Sequence, residues 1–222
     1  VALIDHNGEG EATANIQLCT AHWYGGNREQ SCENTVKSVK KLLGGIQIDG
    51  YYELNMSEIP KLNNMVDGVT VTLEDDFSKK YPKMKKGATI NLDDEQAYAY
   101  VHDRYGVGNE ENTSRMKRQQ QYMTGFFKKL QEKVKANLNY ANEVFESLQD
   151  VSTTDITIGK ISNISNIFAS GTDKGIFELA GKSKIGQALG DEIDHMEFYV
   201  NKKAMVSTMS ELFGIVEQKN KE

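Results

Sequence analysis

The chain has 222 residues, and 32 acidic side chains outnumber 26 basic ones to give a formal net charge of −6. An acidic chain with an ordinary apolar share can build a packed core, which excludes a largely disordered protein and offers no general attraction to nucleic acid. No apolar run in the sequence approaches the length of a membrane span. Because the sequence begins in mid-pattern at Val1, we expect an upstream segment to be missing.

Strands and helices alternate along the first half of the chain. Helices are predicted where apolar residues share one face after a capping residue, and strands where apolar or β-branched residues alternate. The predicted elements are a strand from Val1 to Ile4, a helix at 12–24, a helix at 32–43 capped by Ser31, a strand at 46–54, a short helix between Ser57 and Gly68, a strand at 69–73, a solvated charged loop at 75–86 and an extended piece at 88–92.

The second half of the chain is mostly helical by the same criteria. Asp93 and Asp94 open a helix that runs through Val101, and a loop with two glycines separates it from a long amphipathic helix that begins near Asn112. Further helices are predicted at 137–148, 161–168 and 202–216, with a strand at 196–200. Strands interspersed with helices define an α/β class with helices layered on a sheet, and no break in composition divides residues 1–222.

The segment from Gln96 to Gln121 carries the residues best suited to binding an anion. Arg115 and Arg118 lie three residues apart at the start of the long helix, so that both guanidinium groups share one face. A helix start adds free backbone N–H groups, and guanidinium forks match phosphate oxygens. A solvated charged face, or pairing with Glu110 and Glu111, explains the same spacing equally well.

Two further donors precede this helix. Arg104 ends the preceding helix, and the loop that carries Gly106 and Gly108 can fold back toward the later arginines. His102 lies two residues earlier and can donate a hydrogen bond to the same ligand. Spacing alone therefore favours a basic pocket for a phosphate-bearing ligand as much as it favours solvated charge.

The two cysteines, Cys19 and Cys32, lie in the same early segment. Two small buried side chains are the favoured interpretation, and a disulfide outside the cytosol is the alternative. Neither cysteine has a second Cys or His at ligand spacing, so the sequence does not predict a zinc site.

The arginines belong to a spaced signature, which consists of Asp94–Val101, then Arg104, a glycine-containing loop and Arg115–Gln121. Other segments accompany the signature along the chain, namely Ala21–Gly25, Cys32–Val39, Tyr51–Met56, Ile59–Val71 and Glu197–Asn201. Together they resemble the LytR–CpsA–Psr family of cell-envelope phosphotransferases, in its clostridial type, over nearly the whole chain. On this resemblance, 1–222 is a single domain that lacks its first strands, with the signature in 1–135 and closing helices and a strand in 136–222.

The resemblance implies an α/β/α layered domain with a central mixed sheet, helices on both faces and an apolar groove for a polyprenyl chain. It implies an enzyme at the extracellular face of the cytoplasmic membrane of mostly Gram-positive bacteria, anchored through the missing amino-terminal segment. The reaction it implies moves a cell-wall or capsular glycopolymer, such as teichoic acid, from an undecaprenyl-pyrophosphate carrier to peptidoglycan.

The family motif also implies roles for individual residues. Arg115 and Arg118 are expected to be catalytic, and Arg104, His102 and Gln119 are expected to join them in binding the pyrophosphate. Such a reaction needs neutralisation of phosphate charge more than a strong protein nucleophile, and arginines at the mouth of an apolar groove meet that need.

The sequence departs from the family pattern at three points. His102 replaces an arginine, Asn112 replaces an aspartate, and no position matches the family's first strands, which carry metal-binding aspartates and another arginine. Mg²⁺ is therefore expected as the cofactor, with its ligands outside this chain. These departures favour an alternative, a non-catalytic relative that binds polyprenyl phosphate or wall polymer. A transcriptional attenuator is disfavoured because the acidic chain shows no DNA-reading helix, and no nucleic-acid partner is expected.

Overall fold

The computed structural model of the chain describes residues 2–4, 11–13, 18–187 and 192–214. The chain divides into two compact units. We call them the terminal unit, formed by Val1–Glu53, Thr153–Asp155 and Phe177–Glu222, and the central unit, formed by Leu54–Ser152 and Ile156–Ile176. Within the described ranges, no helix combines the length and the apolar character needed to span a membrane. The single domain over 1–222 stays a prediction.

Helices and short strands alternate in the described residues, which confirms the mixed class predicted from the sequence. In chain order they are β1 (Ala2–Ile4), β2 (Glu11–Thr13), α1 (Arg28–Leu42), β3 (Tyr52–Leu54), α2 (Ile59–Met65), β4 (Thr70–Thr72), β5 (Thr89–Asn91), α3 (Asp94–His102), α4 (Asn112–Ala136), α5 (Tyr140–Ser147), β6 (Ser152–Thr154), α6 (Ile158–Ser170), β7 (Gly181–Gly186), β8 (His195–Val200) and α7 (Lys202–Phe213). Turns of 3₁₀ helix lie at Leu18–Tyr24, Met56–Glu58 and Gln149–Val151.

The strands form pairs in place of the central mixed sheet that the resemblance implied. Among the described residues, β1 pairs with β2, β3 with β6, β4 with β5, and β7 with β8. In β4 and β5, which run antiparallel, Val71 lies opposite Ile90. The predicted strand at 46–54 keeps only Tyr52–Leu54, since Asp49 and Gly50 are poor strand formers that interrupt it.

The first predicted helix, at 12–24, is not formed as predicted. The beginning of this segment belongs to strand β2, and its end, Leu18–Tyr24, forms a 3₁₀ turn. Residues 14–17 lie outside the described residues. The next helix begins before Ser31, because Asn27 takes the capping position and its side chain accepts a hydrogen bond from the Gln30 amide at 2.9 Å. The Gln30 side chain accepts in return from the Gly26 amide at 3.0 Å, which closes a reciprocal cap.

The later elements follow the sequence prediction closely. The helices α2, α3, α4, α5 and α6 and the strand β8 all occur where they were expected. The final helix ends at Phe213, and the rest of its predicted length to Val216 lies outside the described residues. Strands β6 and β7 were not predicted, because their residues lack a sustained apolar alternation.

The core of the central unit forms where α3 packs on α4 and α4 packs on β4. Alternation along β4 directs Val71 inward and leaves Thr70 and Thr72 exposed, as a half-buried strand requires. The buried residues of this core are Val66, Val69, Val71, Leu73, Phe77, Met84, Leu92, Ala97, Tyr100, Val101, Val107, Tyr122 and Phe126.

A buried asparagine, Asn63 of α2, links several elements of this core. Its amide nitrogen donates to the Leu92 carbonyl and to the Asp94 carboxylate, each at 3.0 Å. Its amide oxygen accepts from the Val69 backbone N–H at 3.1 Å and from the Tyr122 hydroxyl at 3.3 Å. One side chain thereby satisfies backbone groups beside β4 and β5 that no water reaches.

Replacing Asn63 with alanine is expected to lower the free energy of unfolding by about 3 kcal/mol, because the Val69 N–H and the Leu92 carbonyl become buried without partners. Urea denaturation followed by circular dichroism measures this loss. The matched control is Asn64→Ala, which removes an exposed neighbour with one 3.3 Å bond to Asp94 and is expected to cost about 0.5 kcal/mol. Equal losses in the two variants would contradict the assignment.

Candidate anion-binding site

The helix α3 delivers the carbonyl groups around which the candidate site is built. Its start is fixed by a capping box in which Asp93 accepts from the Gln96 amide at 2.9 Å and Gln96 accepts from the Asp93 amide at 3.2 Å. Its last carbonyls have no intrahelical donor, as at any helix end. Side chains of α4 supply the missing donors.

Arg118 of α4 supplies most of them and is itself buried, with 2% of its surface exposed. Its Nε donates to the Tyr100 carbonyl at 2.9 Å, and one terminal nitrogen donates to the Asp103 carbonyl. The other terminal nitrogen forms an ion pair with the carboxylate of Asp75. The guanidinium carbon also lies 5.3 Å from the centre of the Phe77 ring.

All three nitrogens of Arg118 are therefore engaged by the protein itself. The residue was predicted to hold pyrophosphate and to be catalytic, and the structure places it in a buried ion pair that joins the end of α3 to the segment after β4. Asp75 was assigned to a solvated loop, and this is corrected, since its side chain is only 14% exposed. The pair spans 43 residues, so no local pattern reveals it.

The loop between α3 and α4 packs against this ion pair. A Cβ atom at Gly108 would lie 2.3 Å from the Asp75 carboxylate, and the backbone of Gly108 has a φ of +55°. Only glycine meets both requirements. Within the same loop, Glu110 accepts from the Gly106 amide at 2.8 Å, while Glu111 accepts from the Thr113 hydroxyl at 3.1 Å.

Arg104 and Arg115 differ from Arg118 in their hydrogen bonding. The guanidinium of Arg104 stacks 4.4 Å from the centre of the Tyr105 ring and bonds to the Tyr105 hydroxyl. A terminal nitrogen of Arg115 donates to the Asn112 side chain at 2.7 Å. The Nε atoms of both arginines are buried and have no hydrogen-bond partner, so both guanidinium groups retain an unused donor.

The remaining predicted residues, His102 and Gln119, lie beside the end of α3. His102 is half exposed, stacks on Tyr98 with ring centres 4.8 Å apart and has its Nδ1 3.2 Å from the Asp103 carboxylate. Gln119 donates to the Val101 carbonyl at 3.0 Å. Both side chains therefore make contacts within the protein. The hydrogen bond of Gln119 holds the end of α3 against α4.

A tyrosine in this region is held in its neutral form. Burial raises the pKa of Tyr100 to about 12, and the Arg118 charge only partly opposes that effect. At neutral pH the phenol is therefore protonated, and its hydroxyl donates to Gln121. Tyr100 is a structural hydrogen-bond donor and is not suited to acid–base chemistry.

An apolar cavity of about 570 Å³ lies further along α4, between that helix and α6. Its apolar lining includes Met123, Phe127, Phe168 and Ile176. The rings of Phe127 and Phe168 meet edge to face with centres 6.5 Å apart. Gln131 of α4 donates to the Phe168 carbonyl at 2.6 Å, which holds the end of α6 against α4.

Residues 2–213 match the model of the LytR_cpsA_psr family. The chain therefore belongs to the LytR–CpsA–Psr family, whose members are phosphotransferases of cell-envelope polymers. A search of curated proteins found no match.

Solved structures share the fold at low sequence identity. A transcriptional regulator from Enterococcus faecalis is 20% identical, with a TM-score of 0.69 over 98% of this chain and 75% of that one. TagV from Bacillus subtilis is 19% identical, with a TM-score of 0.63 over 95% of this chain and 78% of that one. TagT bound to LI-WTA is 19% identical, with a TM-score of 0.62 over 95% of this chain and 73% of that one.

Removing Arg118 is expected to destabilise the chain far more than removing Arg115. Arg118→Met leaves the partly buried Asp75 carboxylate and two carbonyls without this donor, a loss of about 3 kcal/mol or more. Arg115→Met leaves no buried acceptor unpaired and is expected to cost about 0.5 kcal/mol. Unfolding in guanidinium chloride measures both values, and a stable Arg118→Met chain would show that the ion pair does not hold the site together.

Proposed function

We propose that this chain binds a polyprenyl-pyrophosphate-linked glycopolymer and transfers the polymer to peptidoglycan. Membership of a family of cell-envelope phosphotransferases supports the class of reaction. The observation that carries the site is the pair of buried Nε donors on Arg104 and Arg115, which have no partner in the protein. A pyrophosphate offers the acceptor oxygens that such donors require.

Under this proposal the three arginines have different roles. Arg104 and Arg115 bind the pyrophosphate and neutralise its charge as an acceptor hydroxyl attacks the polymer-side phosphorus. The bond from that phosphorus to the bridging oxygen breaks, the polyprenyl phosphate leaves with that oxygen, and the hydroxyl proton passes to solvent. Arg118 acts as a positioning residue, because it fixes the end of α3 from which Arg104 follows. His102, at half exposure, remains available to donate to the polymer side of the ligand.

The apolar cavity between α4 and α6 is suited to the lipid portion of such a carrier. Met123 and Phe127 line it and lie on the helix that begins beside the arginines. At 1.5 Å per residue, Phe127 lies roughly 18 Å along the helix from Arg115. A prenyl chain several units long covers that distance, so one helix contacts both the head and the tail of the carrier.

A structural neighbour that has been solved with its ligand supports a wall teichoic acid as the polymer. TagT shares this fold and has been solved bound to LI-WTA, a wall teichoic acid ligand. From membership of this family we also propose that the chain works at the extracellular face of the cytoplasmic membrane, through an anchored parent protein.

Magnesium enters this proposal only as a counter-ion of the pyrophosphate. Mg²⁺ requires several oxygen ligands in near-octahedral geometry, and no three carboxylates converge in the part of the chain that the structure describes. Asp75, the carboxylate beside the arginines, pairs with Arg118. The described residues therefore do not form a site for Mg²⁺, and no step of the reaction is assigned to it.

A non-catalytic binding protein is the second candidate function. Asn112 occupies one terminal nitrogen of Arg115 at 2.7 Å, and Gln119 is bound to the Val101 carbonyl. Both contacts remove donors that a transferase would direct at its substrate. Transfer of polymer by the parent protein to peptidoglycan, measured with labelled lipid-linked polymer, decides between the two functions.

Loss of Arg104 or Arg115 is expected to weaken binding of undecaprenyl pyrophosphate in detergent roughly 10- to 100-fold, because each removes a charge-assisted hydrogen bond. Lys117→Ala is the matched control, since it removes an exposed positive charge one turn into the same helix. Isothermal titration measures the affinities. Equal weakening in all three variants would mean that general charge, and not the two arginines, attracts the lipid.

A further inference from the structure

Three metal-ligating side chains converge in the terminal unit, which does not contain the anion-binding arginines. They are His22 in the 3₁₀ turn, Cys32 in α1 and Glu53 in β3. One ligand atom from each, a ring nitrogen, a sulfur and a carboxylate oxygen, lies within 4.8 Å of both others. The three residues come from three elements and lack the short spacing of the usual zinc motifs, which is why ligand spacing did not reveal them.

Unsatisfied polar atoms mark the same position. Cys32 is 4% exposed, and the Nε2 of His22 and the Oε2 of Glu53 are buried without a hydrogen-bond partner. Buried polar atoms without partners are costly and rare. Here two such atoms, one of His22 and one of Glu53, lie beside the Cys32 thiol. This arrangement indicates a metal ion that accepts electron pairs from all three side chains.

The local structure holds two of these ligands in place. Gly25 packs against the first turn of α1 so closely that a Cβ atom would lie 2.3 Å from the Ser31 amide nitrogen. This contact brings the end of the 3₁₀ turn, with His22, onto the turn of α1 that carries Cys32. The cap by Asn27 fixes the same junction.

The third ligand is fixed by strand pairing. Glu53 lies in β3, which pairs with β6. Beside it, the Tyr51 amide donates to the Asp155 carboxylate at 2.8 Å, and the Thr154 hydroxyl donates to the Tyr51 carbonyl at 2.5 Å. Contacts of this kind around a ligand restrict its position before any ion binds.

Other uses of the cluster fit less well. A catalytic cysteine needs an accessible thiolate, whereas burial and the Glu53 charge raise the pKa of the Cys32 thiol. Cys19 and Cys32 do not form a disulfide, and Cys19 is exposed whereas Cys32 is buried. Sulfur and imidazole are poor ligands for Mg²⁺ or Ca²⁺, which prefer oxygen.

We propose that His22, Cys32 and Glu53 bind one Zn²⁺ ion. Thiolate, imidazole and carboxylate are the ligands that zinc takes in proteins. Tetrahedral zinc with ordinary bond lengths places its ligand atoms roughly 3.3 to 3.6 Å apart, and the His22 Nε2 lies 3.9 Å from the Glu53 Oε1. All three ligand atoms lie within 4.8 Å of one another, so shifts of roughly 1 Å or less complete the site. The Cys32 thiol releases its proton to solvent on binding.

Three protein ligands leave a fourth position on the ion. A water molecule takes this position, as in other zinc sites with three protein ligands. The ion would link the 3₁₀ turn, α1 and β3 through its bonds to the three side chains. These bonds stabilise the arrangement without the need for a large apolar core. Zinc binding in this unit is independent of the pyrophosphate proposal.

The test uses the full 222-residue chain, reduced and freed of metal by a chelator. Zn²⁺ is titrated in competition with a chromophoric zinc indicator, and one bound ion per chain is expected. Cys32→Ser, His22→Gln and Glu53→Gln are each expected to weaken binding by about 100-fold or more, since even outer contacts of a metal site cost 10- to 100-fold. Cys19→Ser, the matched control, is expected to leave the affinity unchanged.

Bound Co²⁺ gives an absorption signal that depends on a bond between the metal and the Cys32 thiolate. A purely structural role of Cys32 would not produce this signal. Co²⁺ bound to the wild-type chain is expected to show a thiolate-to-metal charge-transfer band that Cys32→Ser abolishes and Cys19→Ser retains. Thermal unfolding of the metal-free variants checks their folding, and His22→Gln and Glu53→Gln keep the test valid if Cys32→Ser does not fold. The proposal would be overturned if the wild-type chain did not bind Zn²⁺, if His22→Gln and Glu53→Gln bound it as tightly as the wild-type chain, or if the band depended on Cys19.

Discussion

The candidate anion-binding site depends on one buried contact, in which the guanidinium of Arg118 lies between Asp75 and two carbonyls at the end of α3, those of Tyr100 and of the capping residue Asp103. A helix end leaves carbonyl groups without donors, and here a side chain of the next helix provides them. The loop that carries Arg104 starts from this fixed end and leads to the start of α4. A buried ion pair has a large desolvation cost, so its value here lies in fixing three segments at once.

The parts of the fold that the sequence predicts are those with strong local signals. Asp93 and Gln96 form the capping box that begins α3, and the alternation from Val69 to Leu73 matches a half-buried strand. Both signals lie within a few residues and need no distant partner. The arginine signature is equally local, which is why its segment could be recognised before its geometry was known.

Contacts between distant residues set the limit of such prediction. Nothing near Arg118 indicates that Asp75, 43 residues away, will neutralise it. The same limit hid the cluster of His22, Cys32 and Glu53, whose members come from three different elements. The start of α1 was misplaced for a different reason. Asn27 and Ser31 are both good capping residues, and the hydrogen bonds of Gln30 with Asn27 and Gly26 select Asn27 as the cap.

The contrast between Arg118 and Arg115 affects how mutational data on this chain are interpreted. The two residues lie three positions apart on one helix face, yet one has every nitrogen bonded to protein and the other has a buried Nε without a partner. A scan that records only polymer transfer would report both as essential. Such a scan would merge a residue that shapes the pocket with one that contacts the ligand, and only affinity and stability measured side by side tell them apart.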